Sequence, residues 1–257
     1  MLYLIGLGLY DESDITLKGI KYAKECDKVY CELYTSFLPS LDIKSLSSLI
    51  DKEIILLSRR DLEEEGEKIL NRAKENKIAI FIPGDPLIAT THSWLRLRAK
   101  EMDIETRIIH APSIYSAAPS IVGLQHYKFG RSTTLVFPEE KYFPKSPYYT
   151  IKENKDRGLH TLVLLDIKDN RMMHAKEAID LLIKMEEQVK EGLIKEDTLG
   201  IVLAEVGSLN PKITIDFIPN LKGCDVGKKP HSIIIPGDLH FMEKEALKKL
   251  WNAPIDL

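Results

Sequence analysis

The sequence predicts an α/β protein built from two α/β domains, a mostly parallel sheet in the N-terminal one and a mixed sheet in the C-terminal one. Apolar strands alternate with amphipathic helices along the first half, as a parallel sheet requires. In the second half, the last three predicted strands follow one another with no long helix between them. Among them, Ile213, Ile215 and Phe217 alternate with polar neighbours, which is the period of a half-exposed antiparallel strand. A length of 257 residues accommodates about two domains.

Short apolar runs predict the strands of the first half: Leu2–Ile5, Lys28–Glu32, Ile54–Leu57, Lys77–Ile82 and Thr106–Ile109. Apolar residues at helical spacing predict the helices between them: Thr16–Glu25, with Asp14 as its cap, Asp61–Asn76 and Thr90–Glu101. His92 therefore falls on a helix, where a surface or packing role is the simplest interpretation.

The segment 113–130 interrupts this alternation. It contains Pro119, Gly123 and Gly130 and little charge, and a flexible linker would be more polar. We therefore interpret it as a packed connection between an N-terminal domain, 1–112, and a C-terminal domain, 131–257. Strands are predicted there at Thr133–Phe137, His160–Leu165, Leu199–Val206, Ile213–Ile218 and Ser232–Ile235, with helices at Ala175–Glu191 and Phe241–Trp251.

Composition excludes several classes of protein. A net charge of −3 argues against electrostatic capture of nucleic acid. The longest uncharged run, 108–127, holds two prolines and two histidines, so no membrane association is expected. Three cysteines and an N-terminus without a basic, apolar leader predict a cytoplasmic protein with reduced thiols and no zinc site.

The most informative segment is KIAIFIPGDPL, residues 77–87. Its buried strand stops at Pro83-Gly84-Asp85-Pro86, which places Asp85 at the carboxyl end of the strand, where open α/β sheets bind ligands. A carboxylate there can accept hydrogen bonds from amines or hydroxyls. A tight turn in which Asp85 caps the next helix is an equally good interpretation.

Other motifs are weaker. Gly6-Leu7-Gly8 follows the first strand but lacks the third glycine of a dinucleotide-binding loop, so a simple tight turn is favoured. Ser113, after Pro112, is typical of a helix cap or of a ligand-gripping loop. His231 stands at an element boundary, and Pro236-Gly237-Asp238 repeats the earlier tripeptide. No motif of a nucleophile, its base or a metal site occurs, which favours an enzyme whose cofactor carries the reactivity.

Seven segments together resemble the archaeal-type diphthine synthases, within the tetrapyrrole-methylase-like S-adenosylmethionine-dependent methyltransferases. They span nearly the whole chain: MLYLIGLGLYDESDIT at the start, CELYTSF at 31–37, FIPGDPLIATTH at 81–92, HAPSIYSA at 110–117, GLHTLVLLDIK at 158–168, AEVGSLNP at 204–211 and PHSIIIPGDLH at 230–240. The resemblance implies two α/β domains with the cofactor in the cleft between them, and a homodimer.

The resemblance also implies which residues bind S-adenosyl-L-methionine and its product, S-adenosylhomocysteine. They are Leu9, Asp85, Ile88, Ser113, Ile114, Leu165, Val206 and His231. Asp85 and Ile88 are expected at the methionine and ribose parts, and Leu165 and Val206 near the adenine. Tyr10, Asp11, Tyr34 and Thr35 are polar residues at strand ends and are candidates for the acceptor side. No residue is identified as a general base.

The implied reaction methylates the amino group of an aminocarboxypropyl side chain built on one histidine of translation elongation factor 2. Repeated transfer gives the trimethylammonium product, diphthine. A relative that methylates a corrinoid, a tetrapyrrole or ribosomal RNA is the runner-up, and a cofactor-binding module without enzymatic activity is the alternative of another class.

Overall fold

Five parallel strands organise the first of the two units into which the chain divides, Met1–Ile114 and Tyr115–Leu257. The computed structural model describes residues 1–140, 142–168 and 171–256. The strands stand in the order β3-β2-β4-β1-β5, and every neighbouring pair is parallel. Their bounds are β1 (Leu2–Gly6), β2 (Lys28–Glu32), β3 (Ile54–Leu57), β4 (Ile78–Ile82) and β5 (Thr106–Ile109). Because the strands are parallel, all their carboxyl ends lie along one edge of the sheet.

Helices cover both faces of this sheet, so alternate residues of one strand enter different cores. Tyr3 and Ile5 pack in one apolar cluster, while Leu2 and Leu4 pack in the other. This two-sided burial explains why β1 and β4 are almost continuously apolar in sequence. The helices are α1 (Leu17–Lys24), α2 (Ile43–Ile50), α3 (Arg59–Glu63), α4 (Gly66–Ala73) and α5 (Ser93–Glu101).

The second unit has a mixed sheet, as predicted. Its order is β11-β10-β12-β7-β6, antiparallel throughout except for the parallel pair of β6 and β7. Its strands are β6 (Thr133–Leu135), β7 (Thr161–Leu165), β10 (Leu199–Ala204), β11 (Lys212–Phe217) and β12 (His231–Ile235), and a separate pair is formed by β8 (Ile167–Lys168) and β9 (Arg171–Met172). The predicted fold class, a parallel sheet followed by a mixed one, is confirmed.

The remaining helices all begin after β5 in the chain. The longest packs Ala178, Leu182 and Met185 into the core of the unit. Their bounds are α6 (Ile114–Val122), α7 (Ser146–Lys155), α8 (Ala175–Val189), α9 (Ile218–Leu221) and α10 (Phe241–Trp251). The proposed connection 113–130 therefore contains a helix, α6, and the exact domain division made from the sequence stays a prediction.

Several elements differ from the sequence prediction. The helix predicted over Asp61–Asn76 is two helices, because Glu65 leaves helical dihedrals (φ −112°, ψ 10°) and a Cβ on Gly66 would lie 2.5 Å from the Trp94 ring. Helices α2 and α7 were not predicted. Asp14 does not cap α1: the Thr16 side chain accepts from the amide of Gly19 instead, and Asp14 has another role.

Candidate active site

The turns that follow β1 and β4 are hydrogen-bonded to each other. The Gly8 and Gly84 backbones exchange hydrogen bonds of 3.3 and 2.6 Å, and the Leu7 amide donates to the Ile82 carbonyl at 2.8 Å. Both glycines have positive φ, +80° and +68°, which glycine adopts without strain. A Cβ on Gly6 would lie 2.5 Å from the Gly84 carbonyl oxygen. The two glycine turns are thus held together by backbone hydrogen bonds at the carboxyl ends of β1 and β4.

Asp14 shapes the first of these turns. Its Oδ2 accepts hydrogen bonds from the amides of Leu9 (2.9 Å) and Tyr10 (2.8 Å). A carboxylate holding two consecutive amides fixes the chain direction, and it leaves Leu9 partly exposed at the end of the strand. The local glycine pattern alone does not reveal this role of Asp14.

Asp85 lies in the second turn and is 9 % exposed. One of its oxygens, Oδ2, is 2.7 Å from Nδ1 of His110, a residue whose side chain is 74 % exposed. Because a carboxylate only accepts, His110 donates through Nδ1. The Asp85 carbonyl accepts from the amide of Ile88, a side chain that is 43 % exposed. A nearly buried acceptor therefore stands beside an exposed apolar side chain.

Ser113 and Ile114 follow β5, the neighbour of β1. Ser113 is buried, and Ile114 is the first residue of α6. Since the strands are parallel, the sequence-predicted residues of this unit follow three adjacent strands, β4, β1 and β5, at the same sheet edge. Leu9, Asp85, Ile88, Ser113 and Ile114 are brought to that edge by topology alone.

The three predicted residues of the second unit share an edge of the second sheet. His231 begins β12 and pairs with Ala204, the last residue of β10, two residues before Val206. Continuing the antiparallel register of β12 and β7 by two residues places Leu165 opposite His231. Val206 is buried and Leu165 partly buried.

Both ring nitrogens of His231 are engaged within the protein. Nδ1 accepts from the amide of Ala175 (3.3 Å), so Nε2 carries the proton and donates to the Gly227 carbonyl (3.2 Å). Burial and the adjacent His174 ring, 4.6 Å away, lower the pKa of His231 to about 4. The imidazole is neutral and fixed, so its expected ligand contact is through the backbone or the ring edge.

A second polar cluster lies at the end of β2. The Glu32 carboxyl is fully buried, and its Oε2 accepts from the amides of Tyr34 and Thr35, both at 3.1 Å. Its Oε1 accepts from the Thr35 hydroxyl. Burial nevertheless outweighs these hydrogen bonds and raises the pKa of Glu32.

His92 closes this cluster. It is also fully buried, its Nε2 lies 3.4 Å from the Tyr34 hydroxyl and 3.8 Å from Oε1 of Glu32, and burial lowers its pKa. Burial, followed by the nearby Glu32 carboxylate, raises the pKa of Tyr34. His92 immediately precedes α5, so the segment 83–92 carries both Asp85 and His92. His92 is therefore buried, as a packing role requires, but its ring lies among polar groups.

The acceptor-side candidates differ in their surroundings. Thr35 is occupied by Glu32, and Asp11 accepts from the Ser13 amide at the start of a 3₁₀ turn. Tyr34 is half-buried, with its hydroxyl directed at His92. Sequence reasoning missed Glu32, His92 and His110 as site residues. One signal was available: Glu32 ends β2 and His110 follows β5, so each belongs to the same series of strand ends as Asp85.

The described residues also bear on metal binding and on membrane spanning. There, His, Cys, Asp and Glu side chains form no group of three or more able to hold a metal ion. Nor does any helix among residues 1–140, 142–168 and 171–256 have the length and apolar character needed to cross a membrane.

Comparison with known proteins places this chain among methyltransferases. Residues 1–221 match the family model of the tetrapyrrole (corrin/porphyrin) methylases. Diphthine synthase of Methanocaldococcus jannaschii is 50 % identical over 254 residues, covering 97 % of this chain and 98 % of that protein. Diphthine synthase of Methanothermobacter thermautotrophicus is 44 % identical over 256 residues, 99 % and 97 % of the two chains. A crystal structure of diphthine synthase superposes with a TM-score of 0.90 at 36 % identity, covering 98 % and 96 %.

Proposed function

Since this chain belongs to the tetrapyrrole methylases and, within them, to the diphthine synthases, we propose that it methylates the modified histidine of translation elongation factor 2. The acceptor is the amino group of an aminocarboxypropyl side chain, and the product is diphthine, in diphthamide biosynthesis. The observation that carries this proposal is that diphthine synthases align with nearly the whole chain. That of Methanocaldococcus jannaschii shares 50 % of the aligned residues with it. A match limited to one domain would not identify the substrate.

S-adenosyl-L-methionine is the proposed methyl donor, and its sulfonium supplies an activated methyl group. The chemistry of the strand-end residues fits such a ligand. Asp85 presents a carboxylate that can accept from an ammonium or a ribose hydroxyl, and Ile88 offers an exposed apolar surface beside it. The residues that would hold the ligand are Leu9, Asp85, Ile88, Ser113 and Ile114 of the first unit and Leu165, Val206 and His231 of the second.

The task of the protein is then to align the reactants and to manage protons. An amine attacks only as the neutral base, so the enzyme must accept a proton whenever the acceptor arrives as an ammonium. His110 fixes the Asp85 carboxylate through Nδ1, which keeps that acceptor in one orientation. Tyr10, Asp11, Tyr34 and Thr35 are the proposed residues of the acceptor side.

Further parts of the proposal rest on the family and on composition. The protein is proposed to be a cytoplasmic homodimer that binds elongation factor 2 but no nucleic acid, with domains 1–112 and 131–257 joined by 113–130. Its three free cysteines suit a reducing compartment. A monomer in sedimentation at micromolar concentration would contradict the dimer.

Transfer of a radiolabelled methyl group to purified elongation factor 2 tests the function. The factor carrying the aminocarboxypropyl group should be labelled, and the unmodified factor should not. Tetrapyrrole precursors and ribosomal RNA are the competing acceptors, and labelling of either in place of the factor would overturn the proposal. Calorimetry with S-adenosylhomocysteine separates an enzyme from a binding module: binding without transfer to any acceptor would favour the module.

A further inference from the structure

We propose that Tyr34 is the group that takes the proton from the substrate amine and that it does so through His92. This inference rests on the proposed function, because it assigns a role at the acceptor side of the same reaction. It begins from a buried polar cluster that cofactor binding does not use. Among the described residues, the cluster combines a fully buried carboxyl, a fully buried imidazole and a half-buried phenol at the carboxyl end of β2.

The location of the cluster connects it to the cofactor site. Strand β2 is the immediate neighbour of β4 in the parallel sheet, so the residues after Glu32 and those after Ile82 emerge at the same edge. The loop after β4 carries Asp85 near its start and His92 at its end. Of the three side chains of the cluster, Tyr34 is the one that is partly exposed, so a substrate amine at this sheet edge would contact the cluster through its phenol.

The orientation of the phenol is set from two directions. Its hydroxyl lies 3.4 Å from Nε2 of His92, with the rings edge to face and their centroids 6.3 Å apart. On another side, the guanidinium carbon of Arg59 lies 5.3 Å from the centre of the Tyr34 ring. The hydroxyl–imidazole separation is longer than an ideal hydrogen bond, and such contacts shorten when the reacting complex forms.

Charged groups from each packed element bear on this pair. Glu32 of β2 lies 3.8 Å from Nε2 of His92, and the charge of Glu63 at the end of α3 favours the protonated imidazole. Arg59 of α3 favours an ionised phenol, whereas Glu32 and Glu63 oppose it. Burial is the largest influence on the pKa of His92 and disfavours the imidazolium, while Glu63 partly offsets it. The phenol of Tyr34 stays neutral, so a proton passing through Tyr34 rests on His92 only transiently.

The proposed step moves two protons. An N–H bond of the substrate ammonium breaks, and its electron pair stays on nitrogen as the lone pair used for attack. The released proton bonds to the Tyr34 oxygen while the phenolic proton moves to Nε2 of His92. The products are a neutral amine, a neutral phenol and an imidazolium whose Nε2 lies 3.8 Å from Oε1 of Glu32. Burial disfavours that imidazolium, so the proton returns through the partly exposed Tyr34 hydroxyl to solvent before the next transfer.

Packing alone does not require the hydroxyl of Tyr34. Its ring packs against the apolar cluster of the first unit, and a phenylalanine would make the same contacts and the same contact with Arg59. Glu32 is held by backbone amides and by Thr35, independently of the phenol. Tyr34→Phe therefore removes the proton path and leaves the rest of the cluster in place.

The test measures methyl transfer by Tyr34→Phe across pH. Near pH 7, kcat should fall about 100-fold, the usual size of general acid–base assistance. The defect should shrink to less than about 5-fold above the pKa of the amine, where solvent removes the proton unaided. Affinity for S-adenosylhomocysteine in calorimetry should stay unchanged. His92→Gln, which acts through Tyr34, should lower kcat by about 10-fold with the same pH trend.

Tyr127→Phe is the matched control, because that phenol is 77 % exposed and bonds only to Gln125 among the described contacts. It should leave kcat and its pH profile unchanged. The ¹⁵N chemical shift of His92 Nε2 is a readout independent of activity. It should change in Tyr34→Phe, because Nε2 loses the hydroxyl that faces it.

Two results overturn the inference: wild-type kcat in a folded Tyr34→Phe protein, or a defect that is the same at every pH. Should Tyr34→Phe fail to fold, replacement of Tyr34 by fluorotyrosine keeps the ring, and kcat that does not vary with the phenol pKa refutes the role. Failure of the wild-type protein to methylate the modified factor would instead refute the proposed function, so the two failures are distinguishable.

Discussion

Each unit of this protein buries one glutamate–histidine pair completely, and the two pairs are arranged in opposite ways. In the second unit, Oε1 of Glu243 accepts from Nε2 of His160 at 3.0 Å, and Oε2 is 2.9 Å from the ammonium of Lys128. In the first unit, Glu32 and His92 approach only to 3.8 Å, and no lysine or arginine forms an ion pair with Glu32 among the described residues.

The ionisation of the two carboxyls follows from this difference. Burial would raise the pKa of Glu243, but the amides of Gln125 and His240 and the side chains of Lys128 and His160 outweigh it and hold the pKa at about 2. For Glu32 burial prevails and the pKa is raised. Equal burial therefore does not decide the charge; the number and charge of the hydrogen-bond donors do.

The contrast separates a structural network from a functional one. The Glu243 network ties α10 to the segment before β6 and to β7: His160 uses Nε2 for Glu243 and Nδ1 for the amide of Gly237. Every group there has its partner, which rigidifies the fold. In the Glu32 cluster the two ionisable groups are pushed toward neutrality from opposite sides, the arrangement that acid–base chemistry uses.

The largest predicted effect compares Glu243→Gln with Glu32→Gln. At Glu243 four donors point at the carboxylate, so a glutamine amide faces donors and Lys128 loses its counter-charge. We expect a loss of about 3–5 kcal/mol in the free energy of unfolding. At Glu32 the Thr35 hydroxyl can reverse and accept from the new amide, and we expect a change of about 1 kcal/mol or less.

Urea denaturation of both variants gives the two values. Similar losses would mean that both pairs serve stability alone, and the distinction drawn between them would be wrong.

The second prediction compares the aspartates of the two Pro-Gly-Asp turns. Asp85 is nearly buried and bonded to His110, whereas Asp238 in the second turn is exposed. Asp85→Ala should weaken S-adenosylhomocysteine binding by about 1.5–3 kcal/mol, because a hydrogen bond to a charged acceptor is lost. Asp238→Ala is the matched control and should bind normally in calorimetry. An unaltered dissociation constant for Asp85→Ala would remove Asp85 from the cofactor site.

The third comparison is a pair of pH dependences with opposite signs. Glu243, with a pKa of about 2 against an ordinary 4.5, contributes stability that is present above pH 4.5 and is lost as pH falls through 2. Glu32 has a raised pKa, so its contribution is full below pH 4.5 and is lost as pH rises through the folded-state value.

Unfolding free energies of wild type and the two glutamine variants, measured from acid to neutral pH, should show both trends. The difference between wild type and Glu243→Gln should shrink toward acid. The difference between wild type and Glu32→Gln should shrink toward neutral pH, and slopes of equal sign would contradict the assignments.

Strand identity was predictable here because it depends on short-range patterns. The run Ile78–Ile82 is apolar without interruption, and it is buried on both faces of a parallel sheet. Helix α2, IKSLSSLI, was missed because its serines weaken the helical signal, although Asp42 caps it. The division between α3 and α4 falls at Glu65, beside Gly66, which packs against the ring of Trp94, a residue distant in sequence.

The same limit applies to the candidate site. Asp85 could be predicted because proline and glycine mark its turn locally. Its partner His110 lies 25 residues away, and the pairing of Tyr34 with His92 spans 58 residues. Such contacts follow from the strand order β2-β4-β1-β5, which the local pattern does not specify. The sheet edge that carries the site was therefore predictable from the sequence. The pairing of Asp85 with His110 and of Tyr34 with His92 was not.

The hydrogen-bonded pairing of Gly8 with Gly84 has a consequence for how this sequence can change over evolution. A side chain at position 6 would require the Gly84 carbonyl to retreat, and that carbonyl accepts from the Gly8 amide. Substitutions at positions 6 and 84 are therefore not independent, because a side chain at position 6 needs the space of the Gly84 carbonyl. Gly8 is required separately, by its positive φ and by Asp14, with whose side chain a Cβ at position 8 would collide. Divergent descendants should keep all three or replace the paired turns together, so Leu9 and Asp85 are inherited as one unit.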